Sequence, residues 1–194
     1  MINDTNIKII AYDDKYAQET IKMWRDSKEK ALGQKDIHSF EEHLAFLRAK
    51  LIKENKVFLA IDKRTDTVIG VMAVNDSQLN QLYIHINYQG MGVGSGLLNM
   101  AKELSPGKLQ LFTFEINKNA QTFYAKHNFK VIGRGFENEE NLPDIKYEWI
   151  LLVSAIFFLP LSGTEEQHSQ SKNQIFADAL LMNEAPTANE KHTR

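Results

Sequence analysis

Four glycines alternate within Tyr88-Gln89-Gly90-Met91-Gly92-Val93-Gly94-Ser95-Gly96-Leu97-Leu98, and no other stretch restricts the fold as tightly. Just before them, Gln81-Leu82-Tyr83-Ile84-His85-Ile86 is rich in β-branched and aromatic residues and reads as a strand. Just after, Leu97, Leu98 and Ala101 recur at helical spacing. The glycines therefore fall at a strand-to-helix junction, where they permit a sharp turn and close approach of a ligand to the backbone. The first turn of the helix leaves N–H groups unpaired beside the positive end of the helix dipole, which suits an anion such as phosphate. Taken alone, the cluster fits a ligand-free tight turn equally well.

The kind of anion is narrowed by what is missing. A P-loop needs a lysine after its last glycine, and none is present. A dinucleotide fingerprint wants glycine at position 95, which is Ser95, and a repeated βαβ framework. Neither nucleotide reading fits well.

Taken in order, the chain predicts a strand at Ile7–Tyr12, then a helix capped by Asp13-Asp14 that runs to about Ala31 and stops at Gly33. Ser39-Phe40-Glu41-Glu42 looks like a capping box one residue short, opening a second helix over roughly 39–54. Two strands, 57–61 and 67–74, flank a polar hairpin loop, and the strand feeding the glycine loop follows. Ser105-Pro106-Gly107 ends the helix after that loop, and Lys108–Glu115 alternates as a further strand. Asn117 can cap a short helix carrying Ala120, Phe123 and Tyr124, with Asn128 suited to positive φ at its end. Strands 129–133 and 144–150 flank an acidic loop, Glu137-Asn138-Glu139-Glu140-Asn141. The order β-α-α-β-β-β-α-β-α-β-β implies an α/β (α+β) fold, a mixed, mostly antiparallel sheet of about six to seven strands flanked by about four helices.

Residues 1–151 form the expected domain, and 152–194 an extension of different character. Its apolar start, Trp149 to Leu161, is too short to span a bilayer; Gly163–Gln174 is expected to be disordered; Ile175–Met182 could make one short helix. A net charge of −2 supplies no basic field for nucleic acid. The absence of cysteine excludes disulfides, thiolate metal sites and a cysteine nucleophile, and fits a reducing cytoplasm. Met1–Thr5 lacks a basic start with an apolar core, so no signal peptide is expected. His38 and His43 lack the spacing of a zinc site, so no metal is expected, and Ser95 is not in a serine-hydrolase elbow.

Two blocks carry a resemblance. Gln89-Gly90-Met91-Gly92-Val93-Gly94 matches Gln/Arg-x-x-Gly-x-Gly/Ala, and Asn117-x-x-Ala120-x-x-Phe123-Tyr124-x-Lys126-His127-x-Phe129 follows at the usual separation. Together they resemble the GNAT N-acetyltransferase superfamily over about residues 7–151, with Asn128 where glycine is usual. The resemblance implies acetyl transfer from acetyl-CoA, as acetyl-donor cosubstrate, to a primary amine of a small molecule or protein by direct attack. It implies backbone contacts from Leu82, Tyr83 and Ile84 to pantetheine, and from Gln89, Gly90, Met91, Gly92, Val93, Gly94 and Ser95 to the pyrophosphate. Asn117 would be a further coenzyme contact, a helix cap, or both. An amine acceptor is the expected partner, with no nucleic acid or membrane, and a homodimer is allowed.

Tyr124 is the expected general acid, since a phenol of pKa near 10 matches a departing thiolate of similar basicity. A core tyrosine is the alternative. The strand before the loop offers Gln78, Asn80 and Gln81, none of which titrates, so amine deprotonation is expected through ordered water or a carboxylate such as Glu115 or Glu148. His85 is expected to cap a turn. The acidic loop Glu137, Glu139 and Glu140, with Asp144, could meet a cationic amine or be a solvated charge run. Trp24, Phe40 and Phe46 could border the acceptor or belong to the core. A coenzyme-binding or regulatory module without chemistry is the second reading.

Overall fold

The computed structural model describes residues 6–151; the expectations for 152–194 lie outside the described residues. Among the described residues, seven strands form two antiparallel sheets, β1-β2-β3-β4 and β5-β7-β6. The strands are β1 (Ile7–Ala11), β2 (Lys56–Asp62), β3 (Thr67–Val74), β4 (Leu79–Ile84), β5 (Lys108–Phe114), β6 (Lys130–Gly135) and β7 (Asp144–Ile150). The sheets touch at one parallel bridge, Gln78 to Gln110, just before β4 begins. The single continuous sheet expected from the strand order is thus split. Residue order alone cannot show this, because β4 and β5 separate without losing their other partners.

The helices cover both faces of the first sheet. On one side lie α1 (Ala17–Leu32) and α2 (Phe40–Phe46), which continues as a π-helical stretch, Leu47–Leu51, into a last turn α3 (Ile52–Glu54). On the other lie α4 (Val93–Leu104) and, beside the second sheet, α5 (Lys118–Lys126). β3 explains the arrangement. Val68, Val71 and Ala73 join Ile21, Trp24, Leu47 and Leu51 in one core, while Ile69, Met72 and Val74 join Val93, Leu97, Leu98 and Ala101 in the other. A strand buried on both faces reads as a continuous apolar run instead of an alternating one. Full burial of a side chain such as Leu97 stabilises the fold by roughly 2–3 kcal/mol.

The helix ends follow the sequence closely. Gly33 closes α1 at φ +67°, its N–H donating to the Glu29 carbonyl. The box at Ser39 is complete, not short by a residue. Glu42 occupies the third helical position, so its N–H donates to Ser39 Oγ (3.2 Å) and its carboxylate accepts from the Ser39 N–H (2.7 Å). Asn117 Oδ1 accepts from the Ala120 N–H at 3.0 Å, and Asn128 takes φ +64° after α5. Among the described residues, no helix is long and apolar enough to cross a membrane.

Candidate active site

The split between β4 and β5 opens a cleft lined on one side by Leu79–Tyr83 and on the other by Phe112–Phe114, with Asn117, Ala120 and Tyr124 of α5 and Lys28 and Leu32 of α1 closing it. His85 N–H donates to the Ile69 carbonyl on β3. By the alternation of an antiparallel ladder, the backbone groups of Tyr83 face β3 as well, and those of Leu82 and Ile84 face the open edge. The expectation that all three lie toward a ligand is therefore corrected for Tyr83: the ladder's period of two turns every second residue away. The Ile84 carbonyl already accepts from Gln89 Nε2 and Ser27 Oγ, both at 3.1 Å.

At the end of β4 the glycine loop leads into α4. Gly90 (φ +78°) and Gly92 (φ +87°) take the left-handed conformation, and a Cβ at either would meet nothing within 4 Å. These two glycines are needed for backbone shape, not for want of room. The first helical bond runs from the Gly96 N–H to the Gly92 carbonyl (2.9 Å), so the N–H groups of Val93, Gly94 and Ser95 have no acceptor within the helix. Gly94 sits where three elements meet: a Cβ there would lie 3.4 Å from Ile84 and 3.5 Å from Phe123. Met91 is exposed. Ser95 Oγ is 2.9 Å from His127 Nε2 at the end of α5.

Tyr124 is buried and lines the cleft, and among the described residues its hydroxyl has no hydrogen-bond partner. Burial, with a smaller contribution from the Tyr83 charge, pushes its pKa well above that of a free phenol. The expected match to a thiolate near pKa 10 is corrected accordingly, because desolvation disfavours the phenolate. The group stays protonated at neutral pH.

None of the other expected acid–base candidates lines the cleft. Glu148 is held by Lys108 (2.7 Å) and Gln110 (2.8 Å), and the Lys108 hydrogen bond foremost keeps its pKa below the usual carboxylate range. Glu115 pairs with Arg134. His85 caps the turn Ile86–Tyr88, Nδ1 accepting from the Asn87 N–H at 3.2 Å. Of the acidic loop, Glu139 meets His38 and Glu140 meets Lys28, each at 2.8 Å, while Asp144 accepts from Asn138. Trp24 is in the core, stacked on Tyr83 at 5.5 Å; Phe40 packs against the same core and Phe46 is partly exposed.

Sequence reasoning missed the polar cluster behind the cleft. Lys28 Nζ lies 3.2 Å from Asp36 Oδ1 as well as bonding Glu140, and His43 Nε2 is 3.4 Å from Asp36 Oδ2. Burial works against the Lys28 ammonium, but Glu140, Tyr83 and Asp36 outweigh it and raise the pKa. One signal was available: Lys28 falls seven residues after Ile21 and four after Trp24, within the buried stripe of α1.

The chain thus has a cleft between β4 and β5 with Tyr124 in its lining, and a glycine loop after β4 whose N–H groups at Val93, Gly94 and Ser95 have no acceptor within α4. Residues 14–151 match the acetyltransferase (GNAT) domain family, and the chain belongs to it. It is 30% identical over 97 residues to the peptidyl-lysine N-acetyltransferase YjaB of Salmonella typhimurium, a match covering 50% of this chain and 66% of that relative, so just under two thirds of the relative's length is spanned. The solution structure of apo-form YjaB from Escherichia coli is similar at TM-score 0.61 and 24% identity, covering 74% of this chain and 97% of that one. The PaiA N-acetyltransferase of Thermoplasma acidophilum, solved in complex with coenzyme A, is similar at TM-score 0.55 and 21% identity, covering 74% and 98%.

Proposed function

We propose that the protein transfers an acetyl group from acetyl-CoA to a primary amine, with a lysine side chain as the first acceptor to test. The observation that carries this reading is the cleft between β4 and β5, which joins the outward backbone groups of Leu82, the unpartnered Tyr124 hydroxyl and Asn117 along one opening. Pantetheine amides would pair with β4 as an added strand does. The N–H groups of Val93, Gly94 and Ser95 would hold the pyrophosphate. The relatives' name, peptidyl-lysine N-acetyltransferase, supports the choice of lysine over other amines.

In the transfer, the neutral amine attacks the thioester carbonyl, a C–N bond forms, the C–S bond breaks, and Tyr124 gives its proton to the departing sulfur. A raised phenol pKa delays donation until negative charge has developed on sulfur, and the same dry surroundings raise the basicity of that thiolate. No histidine, aspartate or glutamate lines the cleft among the described residues. The amine therefore loses its proton to water.

That same lining supports a second reading, a coenzyme-binding module without chemistry. Thiol release from acetyl-CoA, measured with a peptide bearing one free lysine and with a panel of small amines, separates the two. Turnover that falls by about 10²-fold or more in Tyr124→Phe supports the transferase. Coenzyme binding without turnover on any amine favours the module.

A further inference from the structure

The entry to the glycine loop is held by a side chain that the chemistry above does not use. From Ile86 to Gly92 the backbone runs over the surface, and Tyr88 alone in that stretch is half-buried. Its ring packs against the core that contains Val93 and Leu97, and meets the His85 ring edge-on at 5.6 Å. Its hydroxyl donates to Asp62 Oδ2 at 2.7 Å, 26 positions away at the end of β2.

Asp62 is itself fixed. It is buried, its Oδ1 accepts from the Arg64 N–H at 2.9 Å in the turn between β2 and β3, and the Arg64 guanidinium stands 3.6 Å from Oδ2. A buried carboxylate needs donors, and the phenol supplies one in a short, charge-assisted bond. That bond is directional. The packing of the ring is less so, and phenylalanine would keep it.

Between Tyr88 and the fully buried Val93 lie Gln89, Gly90, Met91 and Gly92, all exposed. The N–H groups of Gly90, Met91 and Gly92 have no acceptor among the described residues. Gly90 and Gly92 hold positive φ with nothing within 4 Å of a Cβ, so no packing fixes their shape, and glycine has more backbone freedom to lose than any other residue. Such a loop keeps one conformation only if both ends are held. Val93 holds one end; Tyr88 on Asp62 holds the other, with an exposed second contact from Gln89 Nε2 to the Ile84 carbonyl.

We propose that Tyr88 is a positioning residue for the coenzyme: its hydrogen bond to Asp62 orders the glycine loop before the pyrophosphate arrives. This rests on the coenzyme reading of that loop. A loop that must be ordered by its ligand weakens binding, and a contact that orders it beforehand removes the loss. Tyr88 acts through the shape of the backbone that follows it.

The test joins calorimetric titration of coenzyme A into the full chain with nuclear magnetic resonance relaxation of its backbone amides. In Tyr88→Phe, affinity should fall about tenfold. In the empty protein the Gly90 and Gly92 amides of this variant should gain mobility, while those of Leu97 and Leu98 in α4 stay as in wild type; a general loss of stability would not single out the loop. Asp62→Ala, checked for folding by circular dichroism, should weaken binding by a similar factor, and the double variant by no more than either alone. Unchanged affinity in Tyr88→Phe, or loop amides as rigid as in wild type, overturns the positioning role with the coenzyme reading intact. A double variant that multiplies the two single losses overturns the route through Asp62. Failure of wild type to bind coenzyme A overturns the coenzyme reading itself and this proposal with it.

Discussion

Lys28 Nζ on α1 lies 2.8 Å from Glu140 Oε1 on the loop between β6 and β7, and this contact ties that loop to the helix bordering the cleft. Asp36, whose side chain is fully buried, holds the same ammonium at 3.2 Å. The two partners of Lys28 are therefore not equivalent. Glu140→Gln keeps a hydrogen-bond acceptor and leaves Lys28 paired with Asp36, so a loss of about 1–2 kcal/mol is expected. Lys28→Met strands a buried carboxylate and should cost about 3–5 kcal/mol. Urea unfolding of both variants gives the comparison; equal losses would mean that Asp36 does not depend on Lys28.

Tyr124 separates chemistry from stability. Its hydroxyl has no partner among the described residues, so Tyr124→Phe should change unfolding free energy by under about 1 kcal/mol while acetyl transfer falls by about 10²-fold or more. A drop of several kcal/mol in the same variant, seen by thermal unfolding, would assign the hydroxyl a structural role.

Asn117 can be divided in the same way. As the cap of α5 it accepts from the Ala120 N–H, so Asn117→Ala should cost about 1 kcal/mol and Asn117→Asp almost nothing. If the amide also meets the coenzyme, Asn117→Asp should weaken coenzyme A binding without loss of stability, because a carboxylate cannot donate. Unchanged affinity in that variant would leave Asn117 a cap alone.

Gly92 and Gly94 should respond in opposite directions. Alanine at Gly92 keeps open space around Cβ but must hold φ near +87°, at a cost of about 1–2 kcal/mol. Alanine at Gly94, inside α4 and clear of its neighbours by 3.4 Å, gains up to about 1 kcal/mol of helix propensity. Thermal unfolding of the pair decides this, and destabilisation at Gly94 would show that Ile84 and Phe123 do not yield.

Stability should fall on mild acidification. His43, through burial foremost, and His127, through burial and then Lys102 and Lys126, both sit below the ordinary histidine value in the folded chain. The unfolded chain takes up these protons near pH 6.5, before the folded one does. Their contribution is thus complete above about pH 6.5 and is lost as pH drops through the folded values. Unfolding free energy measured from pH 8 to 5 should show the slope, reduced in His43→Gln and again in the double variant with His127→Gln. A profile flat to pH 5 would place both rings in water.

Much of this fold is written locally. Gly33 stops α1 because it alone takes φ +67° without strain, Ser39 and Glu42 cap α2 between themselves, and Asn117 caps α5 with its own side chain. Each depends on residues within four positions, and so each is legible in order along the chain. The glycine loop between β4 and α4 is legible for the same reason.

What the chain order does not contain is the distance between β4 and β5. The two strands meet at Gln78 and Gln110 and then separate, and that separation turns a sheet edge into a cleft. Tertiary packing also brings Glu140, far along the chain, to Lys28, and rests Ser95 on His127, 32 positions away. Local hydrogen-bonding and backbone preferences determined the elements and the shape of the glycine loop. Long-range packing decided where β4 and β5 part, which buried charges find partners, and that the Tyr124 hydroxyl has no partner among the described residues.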